Sequence, residues 1–565
     1  MYTHIKQVQI IISLLKQYNI RHFVISPGTR HVPLVHSVEI DPFFTCYSVV
    51  DERSAAYVAL GLAESLHAPV CVTCTSSTAS CNYMPAMQEA YEKNIPLVAL
   101  TSDRARYQRF HGENQCINQV DMYRPFCKYA VDLPLVTNDD EYWYCNRCVN
   151  EAFMAIRKGM WGPVQVNFLE PLRIFELSTF DVKEIPTTRK INLLEGDIRW
   201  EKYASFLQNK KVLVVCGDNK IVNKSLHEAL LRFNEKYETV ITVDHFANVN
   251  DNHFVHTPGL DNVLNFYEIR DLQPDVVISY GSKVYSGFGV LYRGKNIPHW
   301  YISEEGNLYD PMRTLKNIFA TTPETFFNSM ATVSTGKNSK AYYKMWMKQV
   351  NKLHLVPRTF TNFYAIRETL AKLPPNSSLH ASVLNAMRFT NFCPLPANTT
   401  YVGNLCADGI DGALSTFIGQ AISTNNIALL VIGDLSYLYD LNASIDTLPS
   451  NVRILLVNNN AGAEFHFNIS LDRISTLNLH IAASHQNQFK EVSELGQLEY
   501  FRAVNSDELH KCLQHFFEPS NRAKLLEVIT NADNDGRELR AILNDNRNNI
   551  SLQRRIVEKI KRIMK

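Results

Sequence analysis

The chain has 565 residues, 45% of them hydrophobic and 20% charged, and its 57 Lys and Arg against 56 Asp and Glu leave a formal charge of +1. That balance excludes a global field for nucleic acid or an anionic membrane, and at about 150 residues per domain the length excludes a single core. No run approaches the roughly 18 apolar residues that cross a bilayer, so the chain reads as cytoplasmic, with its partners in pockets.

Met1 to Asn19 carries apolar residues at helical spacing (Ile5, Val8, Ile11, Ile12, Leu15) and no cleavage-site pattern, which predicts an amphipathic helix. From Ile20 to about Leu177, strands are predicted at 22–25, 44–50, 70–73, 97–100 and 163–168, alternating with helical stretches. This rhythm predicts a parallel sheet covered on both faces, with the turns Ser26-Pro-Gly-Thr-Arg30, Asp51-Glu-Arg53, Thr75-Ser-Ser-Thr78 and Thr101-Ser-Asp-Arg104 at its carboxyl edge. Glu52 precedes Ala55-Ala-Tyr-Val-Ala-Leu-Gly-Leu-Ala63, a helix apolar enough to be buried; the carboxylate is either functional or a favourable charge at a helix N-terminus.

Cys71/Cys74 and Cys145/Cys148 have Cys-x-x-Cys spacing, but the first pair falls on a predicted strand, where residues three apart point to opposite faces and cannot share a tetrahedral ion, and the two pairs stand about 70 residues apart, far beyond finger spacing. The twelve cysteines are therefore expected to be free, the paired ones buried. Glu184 to Lys190 and Thr332 to Ser339 read as linkers, giving domains at 1–183, 191–332 and 341–565. The middle domain predicts strands at 212–216, 240–243, 276–279 and 299–302, with fewer charged strand ends.

The third domain carries Val431-Ile-Gly-Asp-Leu-Ser436 and Leu456-Val-Asn-Asn-Asn-Ala461, two apolar strands ending in polar turns with room for one helix between them. Asp434, Asn459 and a backbone carbonyl would supply hard oxygens suited to Mg²⁺ holding a diphosphate, although an ordinary strand-turn-helix with solvated side chains fits the same pattern. Glycines in Ala407-Asp-Gly-Ile-Asp-Gly-Ala413 would let the backbone approach a ligand. The tail from Gln553 to Lys565 is basic and amphipathic.

Taken in register, Ile25-Ser-Pro-Gly-Thr-Arg30, Asp51-Glu-Arg53, Cys74-Thr-Ser-Ser-Thr-Ala79, Leu100-Thr-Ser-Asp-Arg104, Glu113-Asn-Gln115, Gly409-Ile-Asp-Gly-Ala-Leu-Ser-Thr416, Gly433-Asp-Leu-Ser436 and Val457-Asn-Asn-Asn460 resemble the thiamine diphosphate-dependent 2-oxo acid decarboxylases. Within that superfamily the resemblance is strongest to the menaquinone-pathway branch, which joins a 2-oxoglutarate-derived fragment to isochorismate. It implies an α/β fold of three doubly wound parallel-sheet domains in pyrimidine-binding, middle and diphosphate-binding order. It also implies thiamine diphosphate and Mg²⁺ as cofactors, and a homodimer or homotetramer whose sites are shared between subunits.

Residue by residue, the resemblance makes Glu52 the catalytic glutamate that hydrogen-bonds the pyrimidine ring. Pro27, Thr75, Ser382, Gly409, Ile410, Gly433, Asp434, Leu435, Ser436, Asn459 and Gly462 become further cofactor contacts, with Ile410 the apolar wedge. Asp434, Asn459 and the Ala461 carbonyl become the metal ligands, while Thr29, Arg30, Arg104, Asn114 and Gln115 surround the acceptor.

Departures concern the donor. Family arginines near its distal carboxylate are replaced by Ala386 and Leu405, with Arg388 two residues out of register, and a basic residue near Gly287 and Phe288 is also missing. A desolvated carboxylate without a cation costs several kcal/mol, so the expectation is a decarboxylating, C–C bond-forming transferase with an altered donor. The menaquinone-pathway activity itself, and a catalytically silent homologue that keeps the cofactor, are the alternatives.

Overall fold

The computed structural model describes residues 1–169, 180–219, 221–281, 283–285, 287, 291–445, 448–468, 470–471 and 474–547. The basic tail from Gln553 and the Phe288 position lie outside them. The chain forms two compact units, Met1–Leu193 and the remainder from Leu194, and its strands form three parallel α/β sheets.

In the first unit the strands lie in the order Thr45–Ser48, His22–Ile25, Val70–Cys74, Leu97–Asp103, Val164–Leu169 and Tyr129–Asp132, all parallel. Side-chain alternation divides the sheet between two apolar clusters, Phe23, Cys71 and Val98 on one face and Val24, Cys74 and Ala99 on the other. Cys71 and Cys74 therefore point apart, and none of the twelve cysteines forms a disulfide. Tyr129–Asp132 escaped prediction because its partly buried, polar-ended strand has no continuous apolar run.

The N-terminal helix, Lys6–Gln17, is more deeply buried than an amphipathic pattern predicts: Gln7, Gln9 and Ser13 are buried too. Their polar groups are satisfied inside, Gln7 Nε2 donating to the Leu169 carbonyl at 2.8 Å and Ser13 Oγ accepting the Thr188 N–H at 2.9 Å. The same bonds correct the reading of 184–190 as a linker. Ile185 and Thr188 are buried, and Asn146 Nδ2 reaches the Arg189 carbonyl at 3.0 Å, so this stretch is a strap docked on two helices.

Among the described residues the middle sheet has seven strands, of which Val255–His256, Thr239–Val243, Val212–Cys216, Val276–Tyr280, His299–Ile302 and Leu315–Phe319 lie in the second unit and are again parallel, with Asn192–Leu194 outermost at the unit boundary. The other sheet is ordered Thr400–Val402, Ser378–Ala381, Ala428–Gly433, Val452–Asn458, Lys524–Ile529 and Glu499–Ala503. One apolar cluster draws Leu213, Val240 and Val277 from the former and Leu379, Leu429 and Leu455 from the latter, which is why both sheets fall in one unit. The stretch 332–339 is also docked, Asn338 Nδ2 donating to the Asn234 carbonyl at 2.7 Å. Among the described residues no helix is long and apolar enough to cross a membrane.

Candidate cofactor and substrate site

In the third sheet the first strand, Ser378–Ala381, has its successor on one side and Ala428–Gly433 on the other. Chain order reverses between these two strands, and such switch points open a crevice at the carboxyl edge. Ser382 and Asp434 flank it, held together by the Ser382 N–H on the Val431 carbonyl at 2.9 Å. Where one helix was expected after Asp434 there are a short one, Asp434–Tyr439, and a tight turn at Leu441–Ser444.

Asp434 is 3% exposed. Its Oδ1 accepts the Leu435 N–H at 2.8 Å, and its Oδ2 accepts those of Asn459 at 3.0 Å and Asn460 at 2.7 Å. The two predicted turns are thus joined directly. His485 Nε2 stands 3.3 Å from the same Oδ2, out of hydrogen-bond alignment. Asn459 donates its Nδ2 to Asp535 Oδ2 at 3.1 Å, which orients the amide, and its Oδ1 accepts the Ala461 N–H at 3.3 Å. Ser436 Oγ donates to the Ile410 carbonyl at 2.5 Å, tying the glycine-bearing loop to the same edge.

This donor set fits a hard divalent cation: a buried carboxylate, an oriented amide oxygen and a neighbouring backbone carbonyl at Ala461, with no thiolate or second carboxylate. Among the described residues no three His, Cys, Asp or Glu side chains converge as a metal-binding group. A Cβ added at Gly433 would meet nothing within 4 Å, so the turn is open to a diphosphate.

In the first sheet, order reverses between His22–Ile25 and Val70–Cys74, and the turns after them carry Pro27, Thr29, Arg30 and Thr75. A Cβ at Gly28 would come within 2.5 Å of the Thr75 Cβ, so only glycine lets these turns meet. Gln115 joins them, its Nε2 3.4 Å from Thr75 Oγ1 and its carbonyl accepting Ser76 Oγ at 2.9 Å. Arg30 and Arg104 are buried, and Arg104 Nη1 lies 3.9 Å from Glu113. Glu52 opens the helix Glu52–Leu66, capped by Asp51 accepting the Ser54 N–H at 3.2 Å. That helix was expected to be buried. It buries Ala55, Ala56, Ala59, Leu60 and Ala63 but leaves Tyr57 and Val58 exposed at 44% and 42%, and Val50, just ahead of it, is exposed at 79%.

Ala386 and Leu405 are buried in the shared apolar cluster. Arg388 does not stand free for a substrate: Nη1 lies 2.6 Å from Glu464 Oε2, Nη2 3.0 Å from Oε1, and Nη1 2.5 Å from Asn385 Oδ1. Burial would lower the guanidinium's pKa, and Glu464 outweighs it. Lys283 is likewise engaged, with Nζ 2.8 Å from Asp408 Oδ2 and 2.6 Å from the Leu405 carbonyl.

Two features of this edge escaped the sequence reading. Asp535 lies about a hundred residues beyond the Asp434 turn on Ala532–Asn546, where it reads as an ordinary first-turn acid; burial pushes its carboxyl up to about 7. Glu464 sits just past the asparagine triplet and gives no sign in sequence that its partner is Arg388.

Residues 5–122 match the thiamine pyrophosphate enzyme family in its N-terminal TPP binding domain. Along nearly the whole chain there is similarity to proteins named 2-succinyl-5-enolpyruvyl-6-hydroxy-3-cyclohexene-1-carboxylate synthase. The Bacteroides thetaiotaomicron protein is 30% identical over 561 residues, covering 96% of this chain and 98% of the relative. The Porphyromonas gingivalis protein is 30% identical over 94% and 95%, and that of Flavobacterium johnsoniae 27% over 94% and 97%. End-to-end similarity at this level, on three parallel sheets whose polar turns meet at switch points, makes this chain a member of the thiamine diphosphate- and Mg²⁺-dependent 2-oxo acid decarboxylating carboligases, in the family of those synthases.

Proposed function

We propose that the chain decarboxylates a 2-oxo acid lacking a second carboxylate and transfers the remaining acyl fragment to a small, carboxylate-bearing acceptor. Thiamine diphosphate, when bound, supplies the carbon nucleophile and the electron sink. Asp434, Asn459 and the Ala461 carbonyl would hold Mg²⁺; Gly409, Gly433, Leu435, Ser436 and Gly462 would border the diphosphate; Ser382 would stand beside the reacting end and Ile410 beneath it. Glu52 would hold a proton at a ring nitrogen of the pyrimidine, with Pro27 and Thr75 beside that ring. Thr29, Arg30, Arg104, Asn114 and Gln115 would bind and orient the acceptor, arginine forks suiting its carboxylate.

The observation that carries the donor assignment is the Arg388–Glu464 pair. It bridges the helix after Ser382 to the helix after the metal turn, so Arg388 is already neutralised. Exposed Val50, Tyr57 and Val58 beside Glu52 support a homodimer or homotetramer with shared sites, and domains at 1–183, 191–332 and 341–565 accord with one sheet apiece.

The test is carbon dioxide release from pyruvate and from 2-oxoglutarate, each with thiamine diphosphate and Mg²⁺, with and without isochorismate. Pyruvate should be preferred at least tenfold in kcat/KM. The full-length similarity to the named synthases favours a second reading, their own activity, and efficient coupling of 2-oxoglutarate to isochorismate would establish it and end the altered-donor assignment.

A further inference from the structure

We infer that Arg109 is a positioning residue for the acceptor, holding the loop that carries Arg104, Asn114 and Gln115 in its binding shape through a buried network centred on Asn167. The inference rests on the acceptor assignment above and adds a residue to it.

The loop from Arg104 to Asn118 has little regular structure beyond the single turn Arg106–Gln108, so its shape must come from side-chain bonds. Arg109 stands midway between Arg104 and Asn114 and is 8% exposed. Its guanidinium reaches the ends of two strands: Nη2 lies 2.6 Å from Asp103 Oδ2 and 3.2 Å from Asp132 Oδ1, and Nη1 lies 3.3 Å from Asp132 Oδ2. Between those strands runs Val164–Leu169, and its Asn167 donates Nδ2 to Asp103 Oδ2 at 3.0 Å and to Asp132 Oδ1 at 2.8 Å.

Asn167 Oδ1 in turn accepts Thr101 Oγ1 at 2.8 Å and Gln119 Nε2 at 3.1 Å. Gln119 closes the far end of the loop: its Nε2 also donates to the Ser102 carbonyl at 3.0 Å, and its Oε1 accepts the Ser77 N–H at 2.7 Å. One amide therefore ties the middle of the loop to its exit. A second contact sets the entrance, Asp103 Oδ1 accepting the Arg104 N–H at 2.7 Å.

Only a fork can do this. Two carboxylates share a buried site and repel unless a planar cation spans both, and lysine presents a single point charge. Arg106 also reaches Asp132, at 3.1 Å, but its side chain is 60% exposed and touches neither Asp103 nor Asn167. It serves as the control.

The experiment compares wild type, Arg109→Gln, Arg109→Lys and Arg106→Ala, each loaded with thiamine diphosphate and Mg²⁺. Hydrogen exchange reads loop order, carbon dioxide release from pyruvate without acceptor reads the first half-reaction, and the isochorismate concentration for half-maximal product reads acceptor binding. Arg109→Gln should speed exchange across 104–118 at least tenfold while 97–103 and 164–169 stay protected. It should raise half-saturation at least tenfold and leave acceptor-free carbon dioxide release within twofold; Arg109→Lys should fall between, and Arg106→Ala near wild type. Unchanged loop exchange or unchanged half-saturation in Arg109→Gln overturns the inference, as does equal loss of both half-reactions in a folded variant. If wild type forms no product with isochorismate, the acceptor assignment fails instead, and loop exchange alone decides the role of Arg109.

Discussion

Replacing Glu464 with Gln should turn the donor preference. Glu464 takes two short charge-assisted contacts from Arg388, at 2.6 and 3.0 Å, with only 22% and 29% of the two side chains exposed. The amide keeps the volume but removes the countercharge, so the guanidinium regains capacity for a substrate carboxylate. One charge-assisted hydrogen bond to a donor's distal carboxylate is worth about 1.5–3 kcal/mol, or roughly 10- to 150-fold in kcat/KM. Removing one partner of a pair this far from water should also lower stability by about 1–3 kcal/mol, which the large second unit should survive. The assay is carbon dioxide release, with the kcat/KM ratio of 2-oxoglutarate to pyruvate compared between wild type and Glu464→Gln. A ratio unchanged within about threefold, in a variant that unfolds cooperatively and saturates with cofactor, would show that Arg388 does not govern the donor pocket.

Glu52→Gln should bind thiamine diphosphate within a few-fold of wild type, by fluorescence titration, and lose on the order of 100-fold or more in turnover. Asp535→Ala, which leaves the Asn459 amide without its acceptor, should weaken Mg²⁺ binding roughly 10- to 100-fold by calorimetric titration. Asp535 also predicts a pH dependence. Its carboxyl rises from 3.8 to about 7 on folding, so the native chain keeps a proton that the unfolded chain releases. Urea unfolding of the cofactor-free chain should lose on the order of 3 kcal/mol between pH 5 and 7 and then level off, a slope absent in Asp535→Asn. Cys81 and Cys406 are exposed and should react first with a thiol reagent, while burial keeps Cys71, Cys74 and Cys145 inert until unfolding.

How far the site was legible depends on what each residue contacts. Asp434 and Asn459 could be paired from sequence because each ends an apolar strand, and parallel strands separated by one crossover bring their ends together. The same logic drew the turns at Pro27, Thr75 and Arg104 to one edge. It failed where a contact joins distant elements of different kinds: Arg388 with Glu464, Asn459 with Asp535, and Arg109 with Asp103, Asp132 and Asn167. Each is an ordinary polar residue on its own element. The docked strap at 184–190 was misread for the same reason, since a polar, proline-bearing stretch looks solvated until its partners on Lys6–Gln17 and Asp139–Ala155 are known.

By itself the sequence determined the parallel α/β architecture, the free buried thiols and the strand-end turns proposed to hold cofactor and metal. Those follow from periodicity and from residues local to one strand end, where sterics and backbone hydrogen bonding leave few choices. Tertiary structure alone decided which charges are committed to one another. Whether Arg388 faces a substrate or Glu464 turns on side chains 76 positions apart meeting at 2.6 Å, a fact of packing that no local pattern encodes.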